Sequence, residues 1–291
     1  MPPMRTSRAR WIASAAVALA AVAFVACSQA DHDPQGAGPS CKTECGSGAV
    51  GGTGTSKDAG AASDAGGGAA DAGPGVDVTA TVVIYSEPTF SVADSYQGAA
   101  TLEGDKVGGG KVSVPYGATN GTSVTLPGVA AGSGWLYVDD SSGGQTGIFS
   151  TYSLQSLPAN GTLALPVISR PLLLAIFTKL PIPGVVDVTA AQVVLRFQRK
   201  GVPLAGISLS APVKGATVAF DSGPGVFTTD AKATSTGGMI LLLNTAVAAA
   251  GGSITVGFVD AAADAGATTY TLTIPTAAGA ASFAEIQLAA P

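Results

Sequence analysis

The chain has 291 residues, of which 46% are hydrophobic, 11% are charged and 40 are glycine, a length that fits one or two domains. Three of the 14 basic residues precede Cys27, so the remaining chain carries 11 bases against 19 acids, a net charge of −8. A chain this acidic offers no electrostatic surface for nucleic acid or for an anionic membrane. A single histidine and three cysteines exclude most zinc-dependent and histidine-dependent chemistry, and no cofactor is expected.

The first 26 residues have the pattern of a signal peptide. Three arginines lie within residues 1–10, and residues 11–25 are apolar or small apart from Ser14. As a helix, this apolar stretch would rise about 22 Å, short of the ~30 Å hydrocarbon core of a bilayer. The pattern therefore predicts a secretory signal peptide over 1–26 rather than a retained membrane anchor.

The residues Phe24-Val25-Ala26-Cys27 resemble the bacterial lipobox, in which small residues precede a cysteine that is diacylated before cleavage. The resemblance implies that Cys27 is the lipidated mature N-terminus, although Phe24 stands where the motif usually has leucine; ordinary secretion is the alternative. Two or three acyl chains, palmitate among them, would make the membrane attachment stable. Ser28 follows the cysteine where inner-membrane lipoproteins have aspartate, so the resemblance implies the outer membrane of the cell envelope.

Residues 27–76 have the composition of a disordered Gly/Ala/Asp-rich tether. Residues 28–76 include 13 glycines, 10 alanines and no aromatic residue, too little apolar surface to offset the entropy of ordering the chain. A flexible chain of this length spans about 35–42 Å. Asp-Ala-Gly recurs here, but without the fixed spacing of a calcium-binding repeat. Once Cys27 is acylated, Cys41 and Cys45 remain as an even pair, and we expect a small local disulfide in an oxidising compartment.

Residues 77–291 contain 15 of the 17 aromatic residues and many short β-branched or aromatic segments, usually separated by Gly, Pro, Asn or Asp. The density of these segments predicts an all-β fold of one or two tandem Greek-key β-sandwiches, transthyretin-like or immunoglobulin-like, after the disordered linker. The predicted strands are 80–85, 111–114, 122–126, 135–138, 148–152, 162–168, 172–178, 192–197, 206–210, 216–220, 239–243, 254–259, 269–272 and 283–288.

An internal repeat favours two β-sandwich domains, at 77–170 and 171–291. The aligned segments are 134–139 (Gly-Trp-Leu-Tyr-Val-Asp) with 255–260 (Thr-Val-Gly-Phe-Val-Asp), and 151–154 (Thr-Tyr-Ser-Leu) with 269–272 (Thr-Tyr-Thr-Leu). The offsets of 121 and 118 residues differ only by a short loop insertion or deletion. Coincidence is the alternative in a chain so rich in alanine and glycine.

Residues 201–210 (Gly-Val-Pro-Leu-Ala-Gly-Ile-Ser-Leu-Ser) resemble the opening hairpin of carboxypeptidase-regulatory-like domains, which are transthyretin-like sandwiches. The resemblance continues through Gly237-Gly238, which would turn the chain into a buried strand. It covers about 100 residues and implies that 171–291 is such a domain. The segment 77–170 departs from the pattern, because nothing equivalent to 203–206 precedes Lys111.

The folded region shows no pattern of catalytic or metal-binding residues. Gly-x-Ser-x-Gly, Walker, His-Glu-x-x-His and EF-hand motifs do not occur, and the single histidine, His32, falls in the tether. The segment Asp139-Asp140-Ser141-Ser142 has oxygen donors for calcium, but turn formation explains these residues equally well. Trp135 has an apolar strand setting, which favours core packing over a sugar-stacking platform. The acids of the region lie mainly in predicted turns, as at Asp139, Asp140, Asp187, Asp221, Asp260 and Asp264.

These features favour a non-catalytic, lipid-anchored envelope protein whose sandwich domains bind a protein or glycan ligand and no nucleic acid. One alternative is an accessory subunit of an envelope transport or secretion complex, which copurifying partners would reveal. Another is a hydrolase of envelope polysaccharide or peptide, which requires acids that converge in a cleft.

Overall fold

The computed structural model describes residues 75–90, 93–117, 121–140, 147–157, 161–182, 185–247, 251–261 and 266–289. The predicted signal peptide and almost all of the predicted tether lie outside these residues. The described residues form β-strands connected by turns, which confirms the predicted all-β sandwich class.

The strands of the first part of the described chain are β1 (Val76–Tyr85), β2 (Ala93–Ser95), β3 (Ala100–Asp105), β4 (Lys111–Tyr116), β5 (Val124–Val129), β6 (Gly132–Asp139), β7 (Ile148–Leu157) and β8 (Gly161–Ser169). Helix α1 (Arg170–Phe177) follows β8. The later strands are β9 (Ala191–Arg199), β10 (Val202–Pro203), β11 (Ile207–Leu209), β12 (Thr217–Gly223), β13 (Val226–Thr228), β14 (Met239–Thr245), β15 (Gly252–Asp260), β16 (Thr268–Thr276) and β17 (Ala280–Gln287).

Helix α1 corrects one prediction, because residues 172–178 were expected to form a strand. Ser169 caps the helix by accepting a hydrogen bond from the Leu172 backbone N–H at 3.4 Å, and Pro171 occupies the first turn. A short apolar run gives no periodicity that distinguishes a strand from a buried helix, so the capping residues decide. The buried side chains follow helical spacing and are Leu172, Leu173, Ile176 and Phe177.

A long sheet with the strand order β13-β12-β14-β9-β17-β7-β6-β3-β4 runs through the described residues. Strand β17 joins the two predicted segments, since it pairs in parallel with β7 on one side and with β9 on the other. The described residues all fall within one compact unit, Gly60–Pro291. Strands from both predicted segments share this sheet. Whether 77–170 and 171–291 can fold independently stays a prediction.

A layer of β1, β5 and β8 covers one face of the long sheet at its β3-β6 end. Strand β1 pairs antiparallel with β5 and parallel with β8. Its alternate residues Val78, Ala80 and Val82 pack in one core cluster with Leu102 of β3 and Leu136 of β6. We call this the first core cluster.

At the other end of the long sheet, both faces are covered. Val193 and Leu195 of β9 pack with Val256 and Ile274 of a separate sheet, whose strand order is β11-β15-β16. We call this the second core cluster. Val194, which alternates with these residues, packs instead with the buried face of α1. The three-stranded sheet and the first layer therefore lie on opposite faces of the long sheet.

This staggered arrangement leaves the second face of β3, β4 and β6 open within the described part of the chain. On β4, Val112 and Val114 pack against the first core cluster, whereas Lys111 and Ser113 are exposed on the other face. An open sheet face beside the edge of a second sheet makes a shallow groove, and the candidate site lies there.

The predicted turn chemistry around Gly238 is present in the fold. Gly238 has φ +64° and directly precedes buried strand β14. A Cβ atom at this position would lie 2.6 Å from the carbonyl oxygen of Phe197, so only glycine fits. Lys200 and Gly201, both with positive φ, close the hairpin between β9 and β10.

Candidate functional site

The cross-strand register places Glu103, Tyr137 and Tyr152 in one row on the open face. Glu103 of β3 is directly opposite Tyr137 of β6, and Tyr137 is directly opposite Tyr152 of β7. Directly opposed residues on one face have Cβ atoms about 4.5–5.5 Å apart, so their side chains meet. Leu136 and Val138 alternate with Tyr137 along β6 and point into the first core cluster, which fixes the opposite direction for Tyr137.

The rings of Tyr137 and Tyr152 are stacked, with centroids 4.2 Å apart and planes inclined at 24°. Both side chains are partly buried. Burial is the main cause that raises the pKa of both hydroxyls above the usual value for tyrosine. The two rings therefore present neutral phenols at physiological pH.

Trp135 extends this aromatic surface toward the neighbouring sheet. Its indole Nε1–H donates a hydrogen bond to the backbone carbonyl of Thr273 in β16, at 3.2 Å. The ring is partly buried and packs against the second core cluster. The predicted core packing is thus present, and the same side chain also lines a cavity. We call Trp135, Tyr137 and Tyr152 together the aromatic shelf.

A cavity of about 160 Å³ lies against the aromatic shelf. Glu103, Asp105 and Lys111 contribute its polar wall, and Pro275 of β16 closes it from the neighbouring sheet. Lys111 Nζ lies 3.3 Å from Glu103 Oε2, with side-chain exposures of 56% and 29%. Exposed pairs of this kind contribute at most about 1 kcal/mol to stability, so Lys111 remains free to exchange partners.

The hydrogen bonds of the site leave both donors and acceptors open. The Tyr137 hydroxyl donates to Asp139 Oδ1 at 3.3 Å, and Ser150 Oγ donates to the same oxygen at 3.1 Å. Within the described residues, the Tyr152 hydroxyl and the Asp105 carboxylate form no side-chain hydrogen bond. The open polar groups at the cavity therefore include donors, the Tyr152 hydroxyl and the exposed Lys111 ammonium, and acceptors, the carboxylate oxygens of Glu103 and Asp105.

The other acids that the sequence singled out stabilise separate parts of the fold. Asp140 is buried and accepts a hydrogen bond from the Tyr96 hydroxyl at 3.2 Å. Asp187 is exposed and accepts bonds from the hydroxyl and backbone N–H of Thr189, at 2.6 and 2.8 Å. The bond from the Thr189 hydroxyl is the main cause that holds the pKa of Asp187 below its usual value.

Asp221 and Asp260 are fully buried within the part of the fold that follows α1. Asp221 accepts hydrogen bonds from three backbone N–H groups, and Asp260 is paired with Arg199. These contacts give both carboxylates structural roles at positions away from the aromatic shelf.

Several predicted site residues lie outside the described residues. They are Cys27, Cys41, Cys45, His32, Ser141, Ser142 and Asp264. Within the part of the chain that the structure describes, no helix has the length and apolar character needed to cross a membrane. The described residues also contain no group of three His, Cys, Asp or Glu side chains arranged to hold a metal ion.

The two aligned parts of the internal repeat form similar antiparallel hairpins, β6-β7 and β15-β16. Tyr137 and Tyr152 align in sequence with Phe258 and Tyr270, which are likewise directly opposed, in the hairpin of β15 and β16. That second pair is also stacked, with centroids 5.6 Å apart. Phe258 is only 2% exposed and packs in the second core cluster, whereas the Tyr137 pair lines the cavity. The same hairpin pattern thus supplies core packing in one place and an open aromatic surface in the other.

Sequence reasoning did not single out Glu103, Lys111 or Tyr152 as site residues. Glu103 lies on β3, a strand that was not predicted. Tyr152 was visible as part of the repeat, and its cross-strand pairing with Tyr137 could have been inferred from the aligned hairpins. Lys111 gave no signal, because a single exposed lysine at the start of a strand is common.

No protein-family model and no curated protein matches the chain. One solved structure, described as a "putative cell adhesion protein" from Bacteroides eggerthii, shows weak similarity at 8% sequence identity and a TM-score of 0.18. The similarity covers 69% of this chain and 79% of that protein. The proposals below therefore stand on the residues of this chain alone.

Proposed function

We propose that this chain is a lipid-anchored cell-envelope protein that presents a non-catalytic ligand-binding surface, the aromatic shelf. The observation that carries the proposal is the open sheet face, where three aromatic rings and a cavity of about 160 Å³ lie together. Aromatic side chains are usually buried or placed at interfaces, because they contribute large contact areas with little conformational freedom to lose.

The proposed anchor rests on the sequence before the folded region. The lipobox-like residues ending at Cys27 supply an acylation site, and residues 28–76 supply a polar, glycine-rich arm. An arm that spans about 35–42 Å would hold the aromatic shelf clear of the membrane surface. We infer from this pattern that the protein lies in the cell envelope, at the outer membrane, with the membrane itself as one partner.

The non-catalytic role is supported by the contacts of the predicted acids. Asp140, Asp221 and Asp260 are buried and engaged in structural hydrogen bonds or an ion pair. At the cavity, Glu103 is paired with Lys111, and the remaining groups suit binding. A hydrolase of envelope polymers remains the alternative function, because two carboxylic acids, Glu103 and Asp105, line the cavity. The binding experiment below distinguishes binding alone from cleavage.

Fatty-acid labelling in a Gram-negative host tests the anchor. The wild-type chain should incorporate label and fractionate with outer membranes, whereas Cys27→Ser should lose both properties. Cys41→Ser is the matched control, because it removes a cysteine of the tether and should leave labelling intact. Equal labelling of Cys27→Ser and wild type would contradict the proposal, as would an unlabelled wild-type chain.

A further inference from the structure

We propose that the aromatic shelf binds a neutral oligosaccharide, with one sugar ring in the cavity. This inference rests on the proposed function and names the ligand class of the same surface. The cavity of about 160 Å³ is smaller than the roughly 300–1,000 Å³ of sites for drug-sized molecules. A volume of this size suits a single sugar ring, and the open sheet face beside the cavity leaves room for the chain to continue away from Pro275.

A sugar would contact the outer faces and edges of the Tyr137–Tyr152 pair, because the inner faces of the two rings stack on each other. The face of an aromatic ring is electronegative, and the C–H groups on one side of a pyranose carry partial positive charge. The hydroxyls of Tyr137 and Tyr152 are protonated at physiological pH, as tyrosine ordinarily is, so both rings present neutral surfaces there. Trp135 is held in place by its hydrogen bond to β16, which fixes the ring before a ligand arrives.

The hydrogen-bonding groups of the site suit a ligand whose groups both donate and accept, as sugar hydroxyls do. Trp135 Nε1–H and the Tyr137 hydroxyl are already engaged, with Thr273 and Asp139 respectively. The carboxylates of Glu103 and Asp105 line the cavity and offer acceptor oxygens. Sugar hydroxyls donate to such oxygens while their ring carbons stack on the aromatic shelf.

Other ligand classes fit these groups less well. An extended proline-rich peptide presents backbone carbonyls, and its recognition needs open donors such as a tryptophan N–H, but the N–H of Trp135 is engaged. A quaternary ammonium would meet the Lys111 ammonium, which already pairs with Glu103. An anionic ligand would face Glu103 and Asp105, with Lys111 as the nearby cation.

The test uses the fluorescence of Trp135. The proposed mature chain, which begins at Cys27, has Trp135 as its single tryptophan and is purified in detergent micelles. The chain is titrated with hexasaccharides of the β-1,4-glucan, chitin, α-1,4-glucan and β-mannan types. We expect a saturable change with at least one of them, at a Kd between about 10 μM and 1 mM.

Three variants make the test specific to the aromatic shelf. Tyr152→Ala should weaken binding about tenfold, the usual effect of losing one stacked ring. Tyr137→Ala should weaken binding by a similar factor, because it removes the ring that is stacked on Tyr152. Tyr270→Ala is the matched control: it removes the aligned tyrosine of the β15-β16 hairpin, away from the cavity, and should leave affinity unchanged. Circular dichroism of each variant establishes that it is folded.

The inference is overturned if none of the hexasaccharides saturates the signal, or if Tyr152→Ala binds as tightly as Tyr270→Ala. Saturation by a proline-rich decapeptide or by choline chloride, with no response to the sugars, overturns it as well. Cleavage of a bound hexasaccharide, detected by mass spectrometry, would support the ligand class but contradict the non-catalytic role. Acyl labelling is independent of all these results, so failure of sugar binding and failure of the proposed anchor are distinguishable.

Discussion

Asp221 offers a strong test of how the fold stabilises its loops. Its side chain is fully buried, and both carboxylate oxygens accept hydrogen bonds from one loop that leads into β14. Oδ1 accepts from the backbone N–H groups of Ser235, at 3.1 Å, and Met239, at 2.8 Å. Oδ2 accepts from that of Gly237, at 2.7 Å. One carboxylate therefore accepts hydrogen bonds from three backbone N–H groups that would otherwise have no partner inside the protein.

Asp221→Ala removes all three acceptors at once. A buried donor left without a partner costs about 1–3 kcal/mol, with the lower end for groups that water can reach. The N–H of Met239 is buried and those of Ser235 and Gly237 are partly buried, so we expect a loss of about 4 kcal/mol. Asp221→Asn retains one acceptor but turns an amide N–H₂ toward one of the donors. Its expected cost is smaller, about 2 kcal/mol.

Urea unfolding of the full chain, followed by circular dichroism, measures these losses. Asp230→Ala is the matched control, because Asp230 is an exposed acid near the same loop and its loss should change stability by less than about 0.5 kcal/mol. For Asp221→Ala, the melting temperature should also fall by about 8–16 °C. A loss below about 1 kcal/mol would show that water replaces the carboxylate, and it would refute the reasoning.

Three further predictions concern single residues. Gly238→Ala should destabilise the chain by about 2–4 kcal/mol in urea unfolding, because its Cβ would meet the Phe197 carbonyl oxygen at positive φ; a change below 1 kcal/mol would contradict this. Arg199→Ala should cost about 3 kcal/mol, since it removes the guanidinium beside buried Asp260; an unchanged unfolding midpoint would argue against a structural pair. Burial raises the pKa of the Tyr137 hydroxyl in the folded protein. The stability that the buried, protonated hydroxyl contributes is therefore complete below about pH 10 and is lost as pH rises through the folded-state pKa. Tyr137→Phe should therefore lose less stability than wild type between pH 9 and 11.5, and identical pH profiles would refute this.

The sequence predicted the parts of this protein that depend on neighbouring residues. Short β-branched and aromatic segments between turn residues indicated an all-β sandwich, because a strand exposes alternate side chains to opposite faces whatever it packs against. Turn residues such as Gly238 were also visible, since positive φ restricts a position to glycine in most contexts. The exception was the segment of α1, where an apolar run of seven residues (171–177) fits a strand or a helix and the cap at Ser169 decided.

The candidate site was decided by tertiary structure. Its residues come from strands that are far apart in the chain, from Glu103 on β3 to Pro275 on β16, and no local pattern specifies that they meet. The two aligned hairpins make the reason clear. Alternation along a strand shows that Tyr137 and Phe258 each share a face with an opposed tyrosine, but it does not show which face another layer will cover. The long sheet packs against the Phe258 pair in the second core cluster, whereas the staggered layers leave the Tyr137 pair open. That difference in covering makes one repeated motif a core in one place and a proposed binding surface in the other.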